Sequence, residues 1–379
     1  MMRDLGIYIH IPFCVSKCAY CDFFSAPATD DVKEKYAAAL VRQVKENKMV
    51  SPEDYRVVSV FVGGGTPSVL SGNLMQKILT AVHERYNLTD DCEITVECNP
   101  GTVNTDKLLI YRELGVNRLS FGLQSVNDGE LASLGRIHTF GDFLNSYEMA
   151  RKAGFDNINV DLISAIPGQT VSDWKKTLET VVKLGTEHIS AYSLILEEGT
   201  PLYERYQRGE NLRLPDEDEE RAIYCLTGEY LGEKGFHRYE ISNYAKDGYE
   251  CRHNKLYWRR VPYIGFGAGA SSFINNVRYD GIRNIKAYTD NPVNAFGTPE
   301  IVSTADAMAE FMYLGLRLTE GVKRDDFTTQ FGESIDSVYG DVIKKYVAGG
   351  YMTDDGRNIR LTPGGIDVSN YIFSDFMPD

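Results

Sequence analysis

From residue 5 to about 245, short β-rich runs alternate with helical patterns, and this rhythm restricts the chain to parallel strands joined by crossover helices. Strands are expected near 5–11, 57–62, 93–98, 118–123, 157–163 and 188–195. Helices are expected near 31–47, 71–86, 104–114, 141–153 and 170–184, with Ser71 as N-cap of the second. Six units are too few for a closed eight-stranded barrel, so the expected fold class is α/β, a partial (β/α)6 TIM-like barrel.

A chain of 379 residues has room for a second, smaller domain. Residues 301–379 supply it, with helices at 305–318 and 334–348, a strand pair at 351–353 and 358–361 around Asp355-Gly356, and a closing helix. That order resembles a winged-helix unit of α+β type. The expected division is therefore 1–245 for the barrel, 246–300 for a connecting region and 301–379 for the C-terminal domain. The stretch 197–300 reads as less regular, and its acidic run Pro215 to Glu220 reads as the solvated start of a helix.

Parallel sheets present reactive groups where strands end and loops begin. Cys14 follows strand one, Gly63-Gly64-Gly65 follows strand two, Glu97 closes strand three, Gln124 follows strand four and Asp161 closes strand five. Three of the seven cysteines, Cys14, Cys18 and Cys21, crowd into one short loop, and no further cysteine occurs before Cys92. Thiolates in a tight loop are the ligands of iron-sulfur clusters, usually four to a 4Fe-4S cube. With three local thiolates one iron keeps an open position, which invites an exogenous ligand just as an open catalytic zinc does. The competing assignment is a zinc site completed by His10 or a distant cysteine. It is disfavoured because no second cysteine pair is present.

The CxxxCxxC spacing, with Tyr20 between the last two cysteines, resembles the signature of the radical S-adenosylmethionine (SAM) superfamily. That resemblance implies a 4Fe-4S cluster on Cys14, Cys18 and Cys21, with SAM bound at the open iron. Gly63-Gly64-Gly65-Thr66-Pro67 resembles the family's GGTP segment, in which absent side chains let the backbone approach the cofactor. Phe121-Gly122-Leu123-Gln124-Ser125 and Leu134-Gly135-Arg136-Ile137-His138 resemble the GxQS and LGRxH motifs of the HemN/HemW branch. The resemblance implies Glu97, Gln124, Arg136 and Asp161 as polar contacts to SAM. Tyr8, in a string that matches YxHIPFC, is implied as a ring packing near the sulfonium.

Within that branch two functions compete, a HemW-type haem chaperone and the oxygen-independent coproporphyrinogen III oxidase of porphyrin biosynthesis. The oxidase carries another cysteine two positions beyond the triad, where this chain has Phe23. It also has a long extension ahead of the cluster, where only thirteen residues precede Cys14. Tyr239-Glu240-Ile241-Ser242-Asn243-Tyr244 and Cys251-Arg252-His253-Asn254-Lys255-Leu256-Tyr257-Trp258 resemble the YEISNFA and HNxxYW strings of the chaperone family. The second string implies His253 as an axial haem ligand, against the commoner fate of a histidine as a hydrogen-bonded structural residue. One departure stands out, since Ser164-Ala165 occupies the place of the family's Tyr-Gly in DLIYGLPGQT.

The resemblance favours a haem chaperone that binds cluster, SAM and haem, delivers haem to apo-haemoproteins and takes electrons from a donor. If the chain is an enzyme, it is coproporphyrinogen dehydrogenase-like. Its formal net charge of -14 argues against nucleic acid as a general partner. No apolar run approaches the roughly 20 residues that span a bilayer and no signal peptide is evident, so a cytoplasmic location is expected. Peripheral contact with membrane-bound acceptors is implied only by the resemblance.

Overall fold

The computed structural model describes residues 2–378. Six strands run parallel in sequential order: β1 (Arg3–Ile11), β2 (Tyr55–Gly64), β3 (Leu88–Cys98), β4 (Arg118–Gln124), β5 (Ile158–Ser164) and β6 (His188–Ser193). Helices α1 (Asp30–Glu46), α2 (Gly72–Arg85) and α3 (Thr105–Glu113) make the first three crossovers. A short α4 (Asp128–Ser133) precedes the fourth, α5 (Phe140–Lys152), and α6 (Val171–Lys183) makes the fifth. This is the partial (β/α)6 barrel. Its helix starts are encoded locally: Ser71 accepts from the Leu74 N–H, and Thr139/Asp142 and Thr170/Asp173 form reciprocal capping boxes.

Strand alternation divides the molecule into an apolar shell and a polar lumen. Leu5, Ile7 and Ile9 of β1, Val60 and Val62 of β2, and Leu119 and Phe121 of β4 point outward into the core under the helices. The intervening residues, among them Tyr8, Glu97, Arg118, Ser120, Asn159 and Asp161, line hollows on the other face. Polar groups on a sheet face that no apolar layer covers are what a barrel with a ligand inside requires.

The stretch expected to be irregular has more structure than its sequence pattern conveys. After α7 (Pro201–Gln207) comes α8 (Glu217–Glu233), which begins in the acidic run with Asp216 and Glu219 as a capping box. Strands β7 (His237–Arg238) and β8 (Asn243–Ala245) then extend the sheet, with β8 antiparallel to β6. Helix α9 (Arg252–Trp258) leads to β9 (Tyr263–Phe266), which pairs parallel with β1. Strands β10 (Ser271–Ile274) and β11 (Val277–Asp280), the short helix α10 (Ile285–Asp290) and β12 (Glu300–Ile301) complete a twelve-stranded sheet. Residues 246–300 are thus built into the sheet beside β1. Strands of four residues or fewer carry too little alternation to be read from sequence.

The C-terminal unit contains α11 (Thr304–Gly315), β13 (Val322–Lys323), α12 (Arg324–Phe331), α13 (Ile335–Ala348), β14 (Met352–Asp354) and β15 (Asn358–Leu361), closed by α14 (Pro363–Asp367) and α15 (Ser369–Ser374). Three helices and a three-stranded sheet replace the two helices and hairpin expected. Helix α12 escaped notice because Arg324 to Phe331 has a single buried apolar residue, Phe327. The unit has its own core around Met312, Phe327, Ile343 and Ile359. A buried ion pair anchors it to the sheet: Glu310 takes Arg260 at 2.8 Å and Arg278 at 2.7 Å. No helix among the described residues is long and apolar enough to cross a membrane.

Candidate functional site

The carboxyl ends of the parallel strands surround a cavity of about 480 Å³. The loop after β1 brings Cys14, Cys18 and Cys21, all half-buried, onto one wall. Two backbone hydrogen bonds pin this loop, from the Ala19 N–H to the Leu134 carbonyl at 2.9 Å and from the Leu202 N–H to the Ala19 carbonyl at 2.8 Å. Gly135 stands against the same loop with φ +73°, where a Cβ would meet the Ala19 nitrogen at 3.1 Å.

The turn after β2 passes directly beneath the cysteines. A Cβ at Gly65 would lie 2.7 Å from the Phe13 carbonyl oxygen and 3.0 Å from Cys14 Sγ. Gly64 has φ +115°, and a Cβ there would stand 2.5 Å from the His10 ring. Both positions exclude side chains, which explains the glycines physically. Gly64, Gly65 and Thr66 line the cavity, whereas Gly63 lies outside it, against Phe61 and Glu97.

A chain of side-chain contacts joins two of the thiols. Arg136 Nη1 donates to Cys18 Sγ at 3.5 Å, and its Nη2 donates to the Gly122 carbonyl at 2.6 Å and to Asn99 Oδ1 at 3.0 Å. Asn99 Nδ2 in turn donates to Thr66 Oγ1 at 2.9 Å, and Thr66 Oγ1 donates to Cys14 Sγ at 3.5 Å. Arg136 and Thr66 were expected from sequence; Asn99 was not. Its signal was its place immediately after β3, two residues beyond Glu97.

Glu97, Gln124, Asp161 and Tyr20 complete the wall. Glu97 Oε2 accepts from the Gly64 N–H at 3.0 Å. Burial first, and then the neighbouring Asp161, push the Glu97 carboxyl up to about 8, against the lowering effect of that hydrogen bond. Asp161 accepts from Ser120 Oγ at 2.9 Å and Asn159 Nδ2 at 2.8 Å. Ser120 and Asn159 were missed as well, although each lies two residues before an expected site residue or motif glycine on an inward-facing strand. Gln124 has a φ of +73°, and Ala165, at the family's glycine position, has +58°. The loop after β5 therefore keeps a left-handed residue despite its alanine.

Tyr8 does not line the main cavity. Its hydroxyl lies 3.0 Å from His10 Nδ1 and its ring stacks on Phe61, between two smaller hollows of about 280 and 190 Å³. The strand register turns the Tyr8 ring into the lumen, in a hollow that shares Glu97, Ser120 and Asp161 with the main cavity.

His253, which the resemblance implies as an axial haem ligand, lies in the lumen. It sits on α9, which closes the floor of the lumen, and is 2% exposed. Both ring nitrogens are engaged, Nδ1 with Ser59 Oγ at 2.8 Å and Nε2 with the Tyr257 hydroxyl at 2.9 Å. Phe61 stacks on the ring at 5.1 Å. Burial, then Arg118, lower its pKa to about 3, which keeps the imidazole neutral. Glu93 of β3 holds the helix in place, accepting from the Arg252 N–H at 3.1 Å and the His253 N–H at 3.2 Å. In this conformation His253 bridges α9 and the barrel, with both ring nitrogens hydrogen-bonded to hydroxyls.

Residues 8–181 match the radical SAM superfamily and residues 302–368 match the HemN C-terminal domain. The chain is 36% identical to the heme chaperone HemW of Lactococcus lactis subsp. lactis, an alignment spanning 100% of this chain and 99% of that one. It is also 36% identical to HemW of Bacillus subtilis over 98% of both chains, and 34% identical to HemW of Escherichia coli over 100% and 99%. The solved coproporphyrinogen III oxidase HemN of Escherichia coli superposes with a TM-score of 0.85, covering 99% of this chain and 90% of that one. At 22% identity that likeness establishes the fold. With full-length relatives of this kind and the cysteine loop, glycine turn and polar wall assembled at one barrel mouth, the chain belongs to the HemW haem chaperone family of the radical SAM superfamily.

Proposed function

We propose that this chain is a haem chaperone that carries a 4Fe-4S cluster on Cys14, Cys18 and Cys21, binds SAM in the cavity beside it, and passes haem to apo-haemoproteins. The observation that carries the reading is the meeting of three half-buried thiols with a polar wall and side-chain-free backbone at one strand-end cavity. The CxxxCxxC loop in a chain that matches the radical SAM superfamily supports a cluster over the zinc alternative.

When bound, the cluster supplies an electron from an external donor to the sulfonium cofactor. The chain's own groups position and shield. Arg136 and Thr66 orient the Cys18 and Cys14 sulfurs, while Gly64 and Gly65 let the turn after β2 pack against His10 and the cysteine loop. Burial raises the Glu97 pKa and so favours its protonated form, with the carboxyl on the cavity wall beside Asp161. Gln124 and Tyr20 complete the enclosure. In this reading the barrel with the sheet additions through about residue 300 forms the cofactor-binding part, and residues 301–379 form an accessory domain.

Phe23 in place of a further cysteine supports the chaperone over the oxidase. The test is anaerobic reconstitution followed by iron and sulfide analysis, SAM binding by equilibrium dialysis, and haem titration followed by the Soret band. Iron with sulfide, bound SAM and a haem-dependent Soret change are expected. Turnover of coproporphyrinogen III to protoporphyrinogen would instead establish the oxidase, and zinc without sulfide would remove the cluster.

A further inference from the structure

Large apolar side chains are the groups a monomeric protein normally buries, so several exposed together point to a ligand or partner. Here they gather on the loops around the cavity mouth. Val15 and Phe23 of the cysteine loop are 60% and 62% exposed, Ile137 after Arg136 is 66%, and Ile195 after β6 is 65%. Phe23 and Ile195 line the cavity directly, and Val15 and Ile137 adjoin the lining residues Cys14, Ser16 and Arg136. Phe23 also lines the neighbouring hollow of about 280 Å³, which is walled by Tyr257 and Tyr263 and edged by Arg283. It is therefore the ridge between two adjoining depressions.

Two exposed cations flank this ridge, Lys17 in the cysteine loop and Arg283 at the far hollow. Neither makes an ion pair among the described residues, and Lys17 Nζ reaches only the Phe23 carbonyl, at 3.1 Å. The rim also carries two carboxylates, Glu197 on the main cavity and Asp22 beside Phe23 on both depressions, so the anionic edge of a ligand is directed to Lys17 and Arg283 and away from these groups. An apolar ridge with separated cations in a chain of net charge -14 matches a flat apolar molecule that bears carboxylates at its edge.

We propose that haem docks on this rim, its macrocycle on Phe23, Ile195, Ile137 and Val15 and its propionates toward Lys17 and Arg283. This inference rests on the haem-binding reading and assigns the place. It gives the position that separates this chain from the oxidase a use, since the side chain standing for the missing cysteine becomes the central contact. It also requires no iron ligand from His253, whose Nε2 is engaged by Tyr257 at the wall of the same hollow. Ring-face contact without a buried iron ligand suits a carrier that must release its cargo.

The test is haem titration of the reconstituted full chain and of Phe23→Ser/Ile195→Ser, Arg283→Gln and His253→Ala variants, with a thermal melt of each. The double rim variant is expected to bind at least tenfold more weakly and Arg283→Gln several-fold more weakly, both with wild-type melting temperatures. His253→Ala is expected to melt earlier yet to bind haem normally below its melting range. Rim variants that bind as tightly as wild type overturn the rim site, as does specific loss of binding in folded His253→Ala. A wild-type chain that binds no haem overturns the haem-binding reading itself and this site with it, so the two failures are distinguishable.

Discussion

His253 Nδ1 and Ser59 Oγ lie 2.8 Å apart, joining helix α9 to the second strand of the barrel across 194 positions of sequence. The contact makes the HNxxYW string the floor of the lumen. Its imidazole packs on Phe61, bonds Tyr257 and is kept neutral by its surroundings.

Replacing His253 by alanine should therefore destabilise the chain in the absence of any haem. Two buried hydroxyls lose their partner and a ring-sized void opens, a combination worth about 2–4 kcal/mol. Urea unfolding of the cofactor-free protein measures it. An unchanged midpoint would remove the bridging role.

Stability should also carry an acid limb from the same residue. The folded-state pKa of His253 is depressed from 6.5 to about 3, so its contribution is complete above 6.5 and is lost as pH falls toward 3. Glu97 acts in the opposite sense. Its folded-state pKa is raised from 4.5 to about 8, so stability from this group is complete below 4.5 and declines as pH rises through 8. Melting curves of Glu97→Gln should show a flatter dependence between pH 5 and 8 than wild type; parallel curves would contradict the assignment.

Ala165 occupies a left-handed conformation with φ +58°. Alanine pays for that backbone with a Cβ clash that glycine avoids, so Ala165→Gly should stabilise the chain by about 1 kcal/mol despite the added flexibility of its unfolded state. Chemical denaturation is the measurement, and a destabilised variant would mean that the loop differs from the one described.

Gly64→Ala should act in the reverse direction. The new Cβ would meet the His10 ring at 2.5 Å in a backbone region that only glycine enters freely. A loss of about 2 kcal/mol or more is expected, together with weaker SAM binding, because the Gly64 N–H also holds Glu97. Equilibrium dialysis beside a thermal melt separates the two effects.

Arg136→Met removes the link between Cys18 and the Asn99–Thr66–Cys14 chain. The Gly122 carbonyl and Asn99 lose a charged donor, a cost of about 1–3 kcal/mol. Reconstitution should yield less iron and sulfide per chain than wild type. Full cluster content at equal stability would show that Arg136 plays no orienting part.

What the sequence settled by itself are the features that depend on neighbours along the chain. The alternation of β-rich and helical runs located the six parallel strands, Ser71 marked one helix start, and the Cys14–Cys21 spacing placed three thiols in one loop. Strand ends are where a parallel sheet collects function, so Glu97, Gln124, Asp161 and the glycine turn could be grouped before any coordinates were known. Tertiary structure alone decided which side chains those groups meet. The inward register of Tyr8, the Arg136–Asn99–Thr66 chain, the pairing of β9 with β1 and the burial of His253 in the lumen all join segments far apart in sequence. Contacts of that kind are set by how the sheet curls and what closes its floor. A histidine in a string that resembles a family motif carries no local mark of whether it will face iron or a serine hydroxyl.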